Sequence, residues 1–485
     1  MANDVTFQHG DYAESIASWE LVEHVCEGQS EVKEHGERYL PRPNPLDTSA
    51  ENVERYKQYL ARAVFYDVTG RTLQGLVGAA FRKWPVLEAP SALAYVADDI
   101  DGQGISIYQQ SQETLGCVLK TGRHALLVDY PRTDAPASRA DMASGLIRST
   151  VVSLEAEQIT NWRTAQIGAL RKLALVVIRE SHETVTADGF GTERETQYRV
   201  LRLTDAGYTQ EIWRKPSSAR EWALAEGPWV ILDGSGRPWD EIPLTFVGAE
   251  NNDSSVDRSP LYDLAELNIA HYRNSADYED SAYLVGQAQP WMSGLSQEWR
   301  DWLQSTGIFV GSRQPILLPE GGAFGFAQSA ANGLAKEAMD QKEAQMVALG
   351  ARLIQPGSAI KTATEAQGDQ EAEHSVLSLA CSNVSEAYTK ALGWMARFMA
   401  APDTGIAYEV NQDFVEQHLD PQMLTALIQA WQAGQLPEGD LWTQLRKYGV
   451  IDPEKTDEAI REELDTQNPG LNLDANTMPG DNGNG

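Results

Sequence analysis

The chain has 485 residues, enough for two to four domains at roughly 100–200 residues each, and 42% of them are hydrophobic, which supports a buried core. Lys and Arg number 39 while Asp and Glu number 70, so the formal net charge at pH 7 is −31. A protein that grips nucleic acid through its phosphates needs a basic surface. The charge therefore excludes a nucleic-acid binder of that kind.

Cysteine content and hydropathy limit the cellular compartments in which we expect this protein. Cys26, Cys117 and Cys381 lie far apart, which excludes a disulfide framework and a cysteine-rich zinc site. The N-terminus has no basic segment followed by an apolar one, and the longest apolar run, near 173–178, is far shorter than the roughly 18 residues that span a bilayer. We therefore expect a soluble protein of a reducing, intracellular compartment, with no membrane partner.

The N-terminal part predicts a polar extension followed by helices. Residues 1–49 are polar and end in the proline-rich stretch 41–45, which cannot be helical. Thr48 and Glu51 form a T-x-x-E capping box that predicts the start of a helix. The segment 72–81 predicts a second helix, rich in small apolar residues. The first of these helices carries apolar side chains at helical spacing: Val53, Tyr56, Leu60 and Val64.

Six short apolar runs predict a sheet-containing module between residues 109 and 247. Turn signals such as 205–207 and 233–236 separate the later runs, and the short connections favour antiparallel pairing. A doubly wound Rossmann domain does not fit this pattern. The runs are 125–130, 173–179, 197–203, 210–214, 229–233 and 242–247.

After residue 247 the chain is predicted to be mainly helical. Ser259 and Pro260 are an N-cap and a first-turn proline, opening a helix to about residue 283. A Gly-, Pro- and Trp-rich segment follows to about 326, and 332–353 predicts a second helix. After a break at 354–361, the spacing of apolar residues predicts a third helix over 362–399. At 1.5 Å per residue that helix would be about 57 Å long, which favours packing within an assembly.

The C-terminal region predicts shorter helices and a disordered end. Asp420 and Pro421 open one helix, a second covers about 440–448, and a third covers about 452–464. The polar, Gly- and Asn-rich residues 466–485 are predicted to be disordered.

A search for catalytic motifs predicts that the chain is not an enzyme and needs no cofactor or metal. It contains no G-x-x-x-x-G-K-[ST], H-E-x-x-H, G-x-S-x-G or strand-borne G-x-G-x-x-G motif. None of the eight histidines has another histidine three or four residues away, and we expect packing or surface roles for His271 and His374. The acidic run 98–102 favours a turn over a calcium loop. The 13 tryptophans favour core or interface positions, although a Trp-rich hydrolase without a recognised motif remains an alternative.

The pattern between residues 242 and 394 resembles the portal proteins of tailed bacteriophages, of the prophage or siphophage type. The matching pieces are IPLTFV at 242–247, SPLYDLAELNIAHY at 259–272, ALGARLI at 348–354 and KTATEA at 361–366, with shorter agreement at 251–252, 275–279 and 375–377. The resemblance extends more loosely over about 50–465 and is carried by the order of the pieces. Another virion structural or adaptor protein is the alternative within this class.

The resemblance implies an α+β portal fold assembled as a ring, usually of twelve subunits. In it, a mixed α/β wing surrounds a two-helix stem, a clip joins the stem helices, a loop lines the tunnel and a helical crown faces the capsid interior. Mapped by order, the divisions are an N-terminal extension at 1–49, the wing at 50–258, the stem at 259–283 and 331–353, the clip at 284–330, the tunnel loop at 354–362, the long helix with its return to the wing at 363–414, the crown at 415–465 and the tail at 466–485.

The resemblance also implies the function and the partners. Such a ring is the head–tail connector at one capsid vertex of the virion, assembled in the host cytoplasm, through which duplex DNA is packaged and ejected. The terminase large subunit docks on it, followed by a head-completion or adaptor protein, and it also contacts the major capsid and scaffolding proteins. The acidic charge is compatible with a channel, because an acidic lumen offers few sites that bind the phosphates of passing DNA strongly.

Two groups of candidate site residues follow from this mapping. Arg352 and Lys361 could equally form ion pairs between subunits, and the clip residues could equally pack between neighbouring clips. The residues expected to face DNA in the tunnel loop are Arg352, Gln355, Ser358 and Lys361. The residues expected to bind partners at the clip are Trp291, Trp299, Trp302 and Arg313.

Overall fold

The computed structural model divides the chain into two compact units, Met1–Gln412 and Asp413–Gly485. None of the described helices combines the length and the hydropathy that a bilayer crossing requires. The residues that the structure describes are 4–131, 147–216, 221–286, 289–306, 317–327, 333–354, 375–412, 414, 428–431, 433, 435–447, 451–452 and 455–467.

The first unit mixes helices with antiparallel sheets. Its helices are α1 (Gly10–Glu27), α2 (Gln29–Glu34), α3 (Ala50–Arg62), α4 (Val68–Ala80), α5 (Ile107–Thr121), α6 (Tyr262–Gly286), α7 (Gln297–Thr306), α8 (Leu334–Ile354) and α9 (Val376–Phe398). Its strands are β1 (Val86–Glu88), β2 (Arg123–Asp129), β3 (Thr150–Glu155), β4 (Ile159–Ile167), β5 (Leu170–Val185), β6 (Thr192–Thr204), β7 (Gly207–Arg214), β8 (Ala223–Val230), β9 (Leu244–Gly248), β10 (Gln289–Ser293), β11 (Ala323–Ala327) and β12 (Ala407–Glu409).

The N-terminal fifty residues fold against the rest of the unit rather than extending from it. Helix α1 buries Tyr12, Trp19, Val22 and Val25, which recur at seven- and three-residue steps and so share one face. That face packs on α4, α5 and α6. The sequence analysis gave weight to the polar residues of this segment and missed its apolar stripe, and the predicted polar extension at 1–49 is corrected accordingly.

The start of α3 differs from the prediction by one residue. The N-cap is Ser49, whose hydroxyl accepts a hydrogen bond from the backbone N–H of Asn52 at 3.3 Å. Glu51 is therefore the second helical residue, and the predicted capping box between Thr48 and Glu51 does not form. The predicted helix at 72–81 corresponds to α4, which begins four residues earlier, after Asp67.

The antiparallel pairing predicted for the strands is confirmed. Strand β2 lies between β3 and β9 in a three-stranded sheet, and β4 to β8 form a five-stranded meander in chain order. Gly207 turns the chain between β6 and β7 with a φ of +108°, and a Cβ atom there would come within 2.9 Å of the Trp239 carbonyl oxygen. Glycine is therefore required at this tight turn.

Two details of the sheet prediction were wrong. Strands β3 and β4 were missed, and the predicted strand at 229–233 ends at Val230. The chain turns at Asp233, whose carboxylate accepts hydrogen bonds from the N–H groups of Ser235 and Arg237 at 2.8 and 3.0 Å. An aspartate that binds the backbone two and four residues ahead favours a turn over a strand.

Helix α9 forms the centre of the first unit. It packs against α5, β2, β9 and β12 and buries 13 of its 23 residues. It begins at Val376, because Ser375 has extended backbone angles and its hydroxyl caps the N–H of Ser378 at 3.1 Å. The helix predicted over 362–399 therefore begins at Val376 in the described residues, and the predicted part before Ser375 lies outside them.

The second unit contains α10 (Glu438–Lys447) and α11 (Asp457–Gln467). Leu441, Trp442 and Ile460 are buried, and Arg446 pairs with Asp457. These helices overlap the predicted segments 440–448 and 452–464. The segment predicted to be a helix after Asp420 lies mostly outside the described residues, as do the last 18 residues.

Candidate functional site: a helix pair with an aromatic insertion

Helices α6 and α8 pack against each other and are joined by an insertion. Lys342 Nζ donates a hydrogen bond to Asn274 Oδ1 at 2.6 Å, and His271 Nε2 lies 3.3 Å from Glu343 Oε1. Asn274 comes after His271 in α6, whereas its partner Lys342 comes before Glu343 in α8. The two helices therefore run antiparallel. His271 is buried, as the sequence analysis expected from a packing role, while His374 lies outside the described residues.

The first half of α6 is fixed to the rest of the unit by a buried asparagine. Asn268 Oδ1 accepts hydrogen bonds from the backbone N–H groups of Val68 and Thr69, at 3.2 and 3.1 Å, and from the Thr69 hydroxyl at 3.0 Å. Its Nδ2 donates to the carbonyl oxygen of Tyr66 at 2.9 Å. Asn268 is completely buried and supplies partners for the N-terminal N–H groups of α4, which have none within their own helix.

The middle of α6 is held by charged and polar side chains of α3. The Asp280 carboxylate forms salt bridges with Arg62 Nη2 at 2.6 Å and with Arg55 Nη2 at 3.2 Å. The Tyr59 hydroxyl donates a hydrogen bond to Asp277 Oδ1 at 2.7 Å. Burial, followed by the hydrogen bond to Asp277, raises the pKa of Tyr59, so this phenol stays a donor. These contacts set the direction in which α6 continues beyond Asp280.

The helix pair presents several apolar side chains to solvent. On α6, Tyr283 is 45% exposed and Leu284 is 49% exposed. On α8, Leu334 is 69% and Val347 is 71% exposed, while Met346 is the one buried side chain among those described. A 21-residue helix with so little of its surface covered by the rest of the described residues is typical of one that packs on another molecule.

The insertion carries an aromatic hairpin. Strands β10 and β11 pair antiparallel, with Trp291 directly opposite Gly325. A Cβ atom at position 325 would come within 2.9 Å of the indole ring, so the glycine leaves room for the tryptophan to lie across its partner strand. On the same hairpin, the rings of Phe324 and Phe326 make an edge-to-face contact at 5.1 Å.

The structure places some of the predicted site residues and brings two of them together. Trp299 and Trp302 lie on α7 in edge-to-face contact at 5.3 Å, with Trp302 half exposed. Trp291 lies on β10 and is 45% exposed. Arg352 lies exposed in the last turn of α8. The other predicted site residues, Arg313, Gln355, Ser358 and Lys361, lie outside the described residues.

Two features of this region were missed by the sequence analysis. Asn268 was included only as part of a matching segment, since nothing in a sequence marks an asparagine as the cap of a helix 200 positions away. The aromatic alternation at 323–327 was visible in the sequence, because Phe324 and Phe326 flank the glycine of a short strand.

A cleft of about 290 Å³ bears on the alternative that the chain is a hydrolase. It is lined in part by Lys172, Glu241 and Trp394, and Asp240 lies beside it. Hydrogen bonds from Lys172 and Arg397 lower the pKa of Asp240 to about 2. A general acid in a glycoside hydrolase needs a raised carboxyl pKa, so Asp240 does not suit that role.

Comparison with known proteins gives a family match and structural likenesses. Residues 260–399, which run from the start of α6 through α9, match the family described as a domain of unknown function, DUF4055. The comparison with curated proteins gives no match.

The comparison with solved structures finds low-level similarity to chains of gene transfer agent particles. A chain from the neck of an empty gene transfer agent particle, computed with C6 symmetry, is 13% identical, with 81% of this chain and 92% of that chain covered and a TM-score of 0.38. A chain from the virion of a native gene transfer agent particle is 13% identical, with coverages of 80% and 91% and a TM-score of 0.36. A chain from a native neck computed with C12 symmetry is 13% identical, with coverages of 78% and 89% and a TM-score of 0.36.

Proposed function

We propose that this chain is a structural subunit of the head–tail vertex of a tailed-phage-type particle, and more specifically a portal subunit. The observation that carries the proposal is the order of elements from α6 to α9. A helix, an insertion with an aromatic hairpin, an antiparallel returning helix and a further long helix follow one another in the order that the sequence resemblance to portal proteins implies.

The exposed apolar side chains of α8 support self-assembly as part of this proposal. We assign them to contact with second copies of this chain, because Val347 and Leu334, which lie on different sides of the helix, both gain apolar burial when subunits stand side by side. In a closed ring each subunit offers one face to one neighbour and the opposite face to the other. The acidic chain of net charge −31 needs such apolar contacts to offset repulsion between copies.

The portal proposal assigns the chain a conduit role without catalysis. In it, α6 and α8 form the stem, the insertion docks the terminase large subunit and later the adaptor protein, and Arg352 contributes sparse positive charge near the tunnel. Duplex DNA then passes without being gripped, since few lysines and arginines face it. Trp291 and Trp302, both exposed on the insertion, are the aromatic anchors expected at the partner contact.

Electron microscopy of the purified full chain tests the proposal. The expected result is a ring, near twelve copies of the 53.4 kDa chain, with a central hole wide enough for duplex DNA. A Val347→Asp variant is expected to lose the ring while keeping the circular dichroism of the wild type. A compact monomer at high protein concentration contradicts the proposal, and a multimer without a central hole favours another virion structural or adaptor protein.

A further inference from the structure

We propose that His24, Glu31 and His35 form a binding site for a divalent transition metal such as Zn²⁺ at the corner between α1 and α2. One donor atom from each side chain lies within 4.8 Å of the other two. The inference concerns the N-terminal helices and does not rest on the proposed function.

The backbone at this corner brings the three residues together from different elements. His24 lies in the last turn of α1, Glu31 lies in α2, and His35 is the C-cap of α2. Gly28, with a φ of +93°, reverses the chain between the two helices. The sequence analysis looked for two histidines three or four residues apart on one helix and therefore missed a pair divided between two helices.

The donor set has the chemistry and nearly the spacing that zinc requires. Two imidazoles and one carboxylate suit Zn²⁺ and neighbouring transition metals, whereas Ca²⁺ and Mg²⁺ prefer a shell of oxygens. Bonds of about 2.0–2.2 Å in a tetrahedron place ligand atoms roughly 3.4 Å apart. His35 Nε2 and Glu31 Oε1 are already 3.1 Å apart, and the two imidazole rings stack at 3.8 Å. For both imidazole nitrogens to point at one ion, the two rings must rotate out of this stacked arrangement, with water as the fourth ligand.

The surroundings of His24 prepare it as a ligand. Its Nδ1 is 2.7 Å from the Tyr39 hydroxyl, which leaves Nε2 for the metal and fixes the orientation of the ring.

The position of His24, Glu31 and His35 means that a bound metal would stabilise the packing of the N-terminal helices. The side chains of His35 and Glu31 are about one-third exposed, so an ion can enter from solvent. Tyr39 is buried, and its carbonyl oxygen accepts a hydrogen bond from Arg273 Nε of α6 at 2.8 Å. A metal at the corner would therefore tie α1 to α2 at the point where this N-terminal segment rests on α6.

Zinc uptake by the full chain tests the proposal. The probe is Zn²⁺ added to tag-free, chelator-stripped protein, with calorimetric titration, metal analysis after gel filtration, and the Tm as readouts. The wild type is expected to take up one equivalent and to gain Tm. His24→Gln and His35→Gln are each expected to weaken binding about tenfold or more, as does the loss of a supporting group at metal sites generally.

Two control variants separate this site from other donors. His182→Gln on β5 removes a histidine far along the chain, and Cys26→Ser removes the nearest thiol, whose pKa burial raises to about 12. Both are expected to bind Zn²⁺ like the wild type. Co²⁺ bound by the wild type is expected to show the visible absorption of a tetrahedral site, which both glutamine variants lose.

Three outcomes would overturn the proposal. The first is a wild type that takes up no Zn²⁺, in which case Glu31 and His35 form an ion pair only. The second is unchanged binding in both glutamine variants. The third is loss of binding in Cys26→Ser alone. If one glutamine variant fails to fold, as judged by circular dichroism of the stripped protein, the other supplies the test.

Discussion

Helices α8 and α9 have 21 and 23 residues, yet their own chain covers them very differently. Helix α9 buries 13 side chains against α5 and two sheets, and α8 buries Met346 alone among its described side chains. Both helices carry apolar residues at helical spacing. The difference shows that α9 is stabilised by packing within the chain, whereas α8 leaves apolar side chains exposed among the described residues, which the proposed function assigns to contact with a second copy of this chain.

The largest expected effect comes from truncating the core of α9. Leu392 is completely buried, so Leu392→Ala is expected to lower the free energy of unfolding by about 3 kcal/mol through lost transfer energy and a cavity. The matched variant on α8 is Val347→Ala. It is expected to change the free energy of unfolding by no more than about 0.5 kcal/mol when the chains are kept dilute. Urea denaturation followed by circular dichroism measures both. Equal losses in the two variants would remove the distinction between the helices.

The next largest effect is expected at the junction between α6 and α4. Asn268→Ala leaves the buried N–H and hydroxyl groups of Thr69 without their Asn268 acceptor, which costs about 2 kcal/mol. Asn274→Ala removes a half-buried acceptor of Lys342 and is expected to cost less than about 1 kcal/mol. Urea midpoints of the two variants give the comparison, and a larger loss for Asn274→Ala would contradict this account of how α6 is anchored.

A smaller effect is expected from one poorly paired carboxyl group. Burial, followed by Glu23 and Glu20, raises the pKa of Glu157 to about 7, and its Oε1 is buried without a hydrogen-bond partner among the described residues. The folded state thus holds this proton more tightly than the unfolded state, so the stability it contributes is lost as pH rises from about 4.5 through 7. Glu157→Gln is expected to raise the Tm by roughly 1–2 °C at pH 8 and to leave it unchanged at pH 5. An equal gain at both pH values would contradict this assignment.

The fold was predictable wherever local pattern and tertiary packing agree. Strand β2 was recognised from its run of buried apolar residues, and α6, α8 and most of α9 were recognised from helical spacing. Strand β4 was missed, because its inward Trp162 alternates with polar residues and its bulges break the period. Ser375 caps the start of α9 through a hydrogen bond that its hydroxyl accepts from the N–H of Ser378, which spacing alone does not reveal.

The sites were less predictable than the fold. The tryptophans of the insertion were singled out because composition and order mark them in the sequence, and their role as partner contacts stays a prediction. His24 and His35 were not found, because a turn at Gly28 brings together residues that are 11 positions apart. Contacts of this kind depend on the direction in which the chain leaves a helix, and a one-dimensional pattern does not contain it.

The most direct test of the contrast between α8 and α9 is the particle mass of wild type and Val347→Asp at equal concentration, measured by light scattering and by electron microscopy. The account predicts a ring of many copies for the wild type and a folded monomer or small oligomer for Val347→Asp, with the same Tm for dilute chains. A wild type that stays monomeric, or a Val347→Asp variant that assembles as the wild type does, would contradict the claim that α8 is covered by a second copy of this chain.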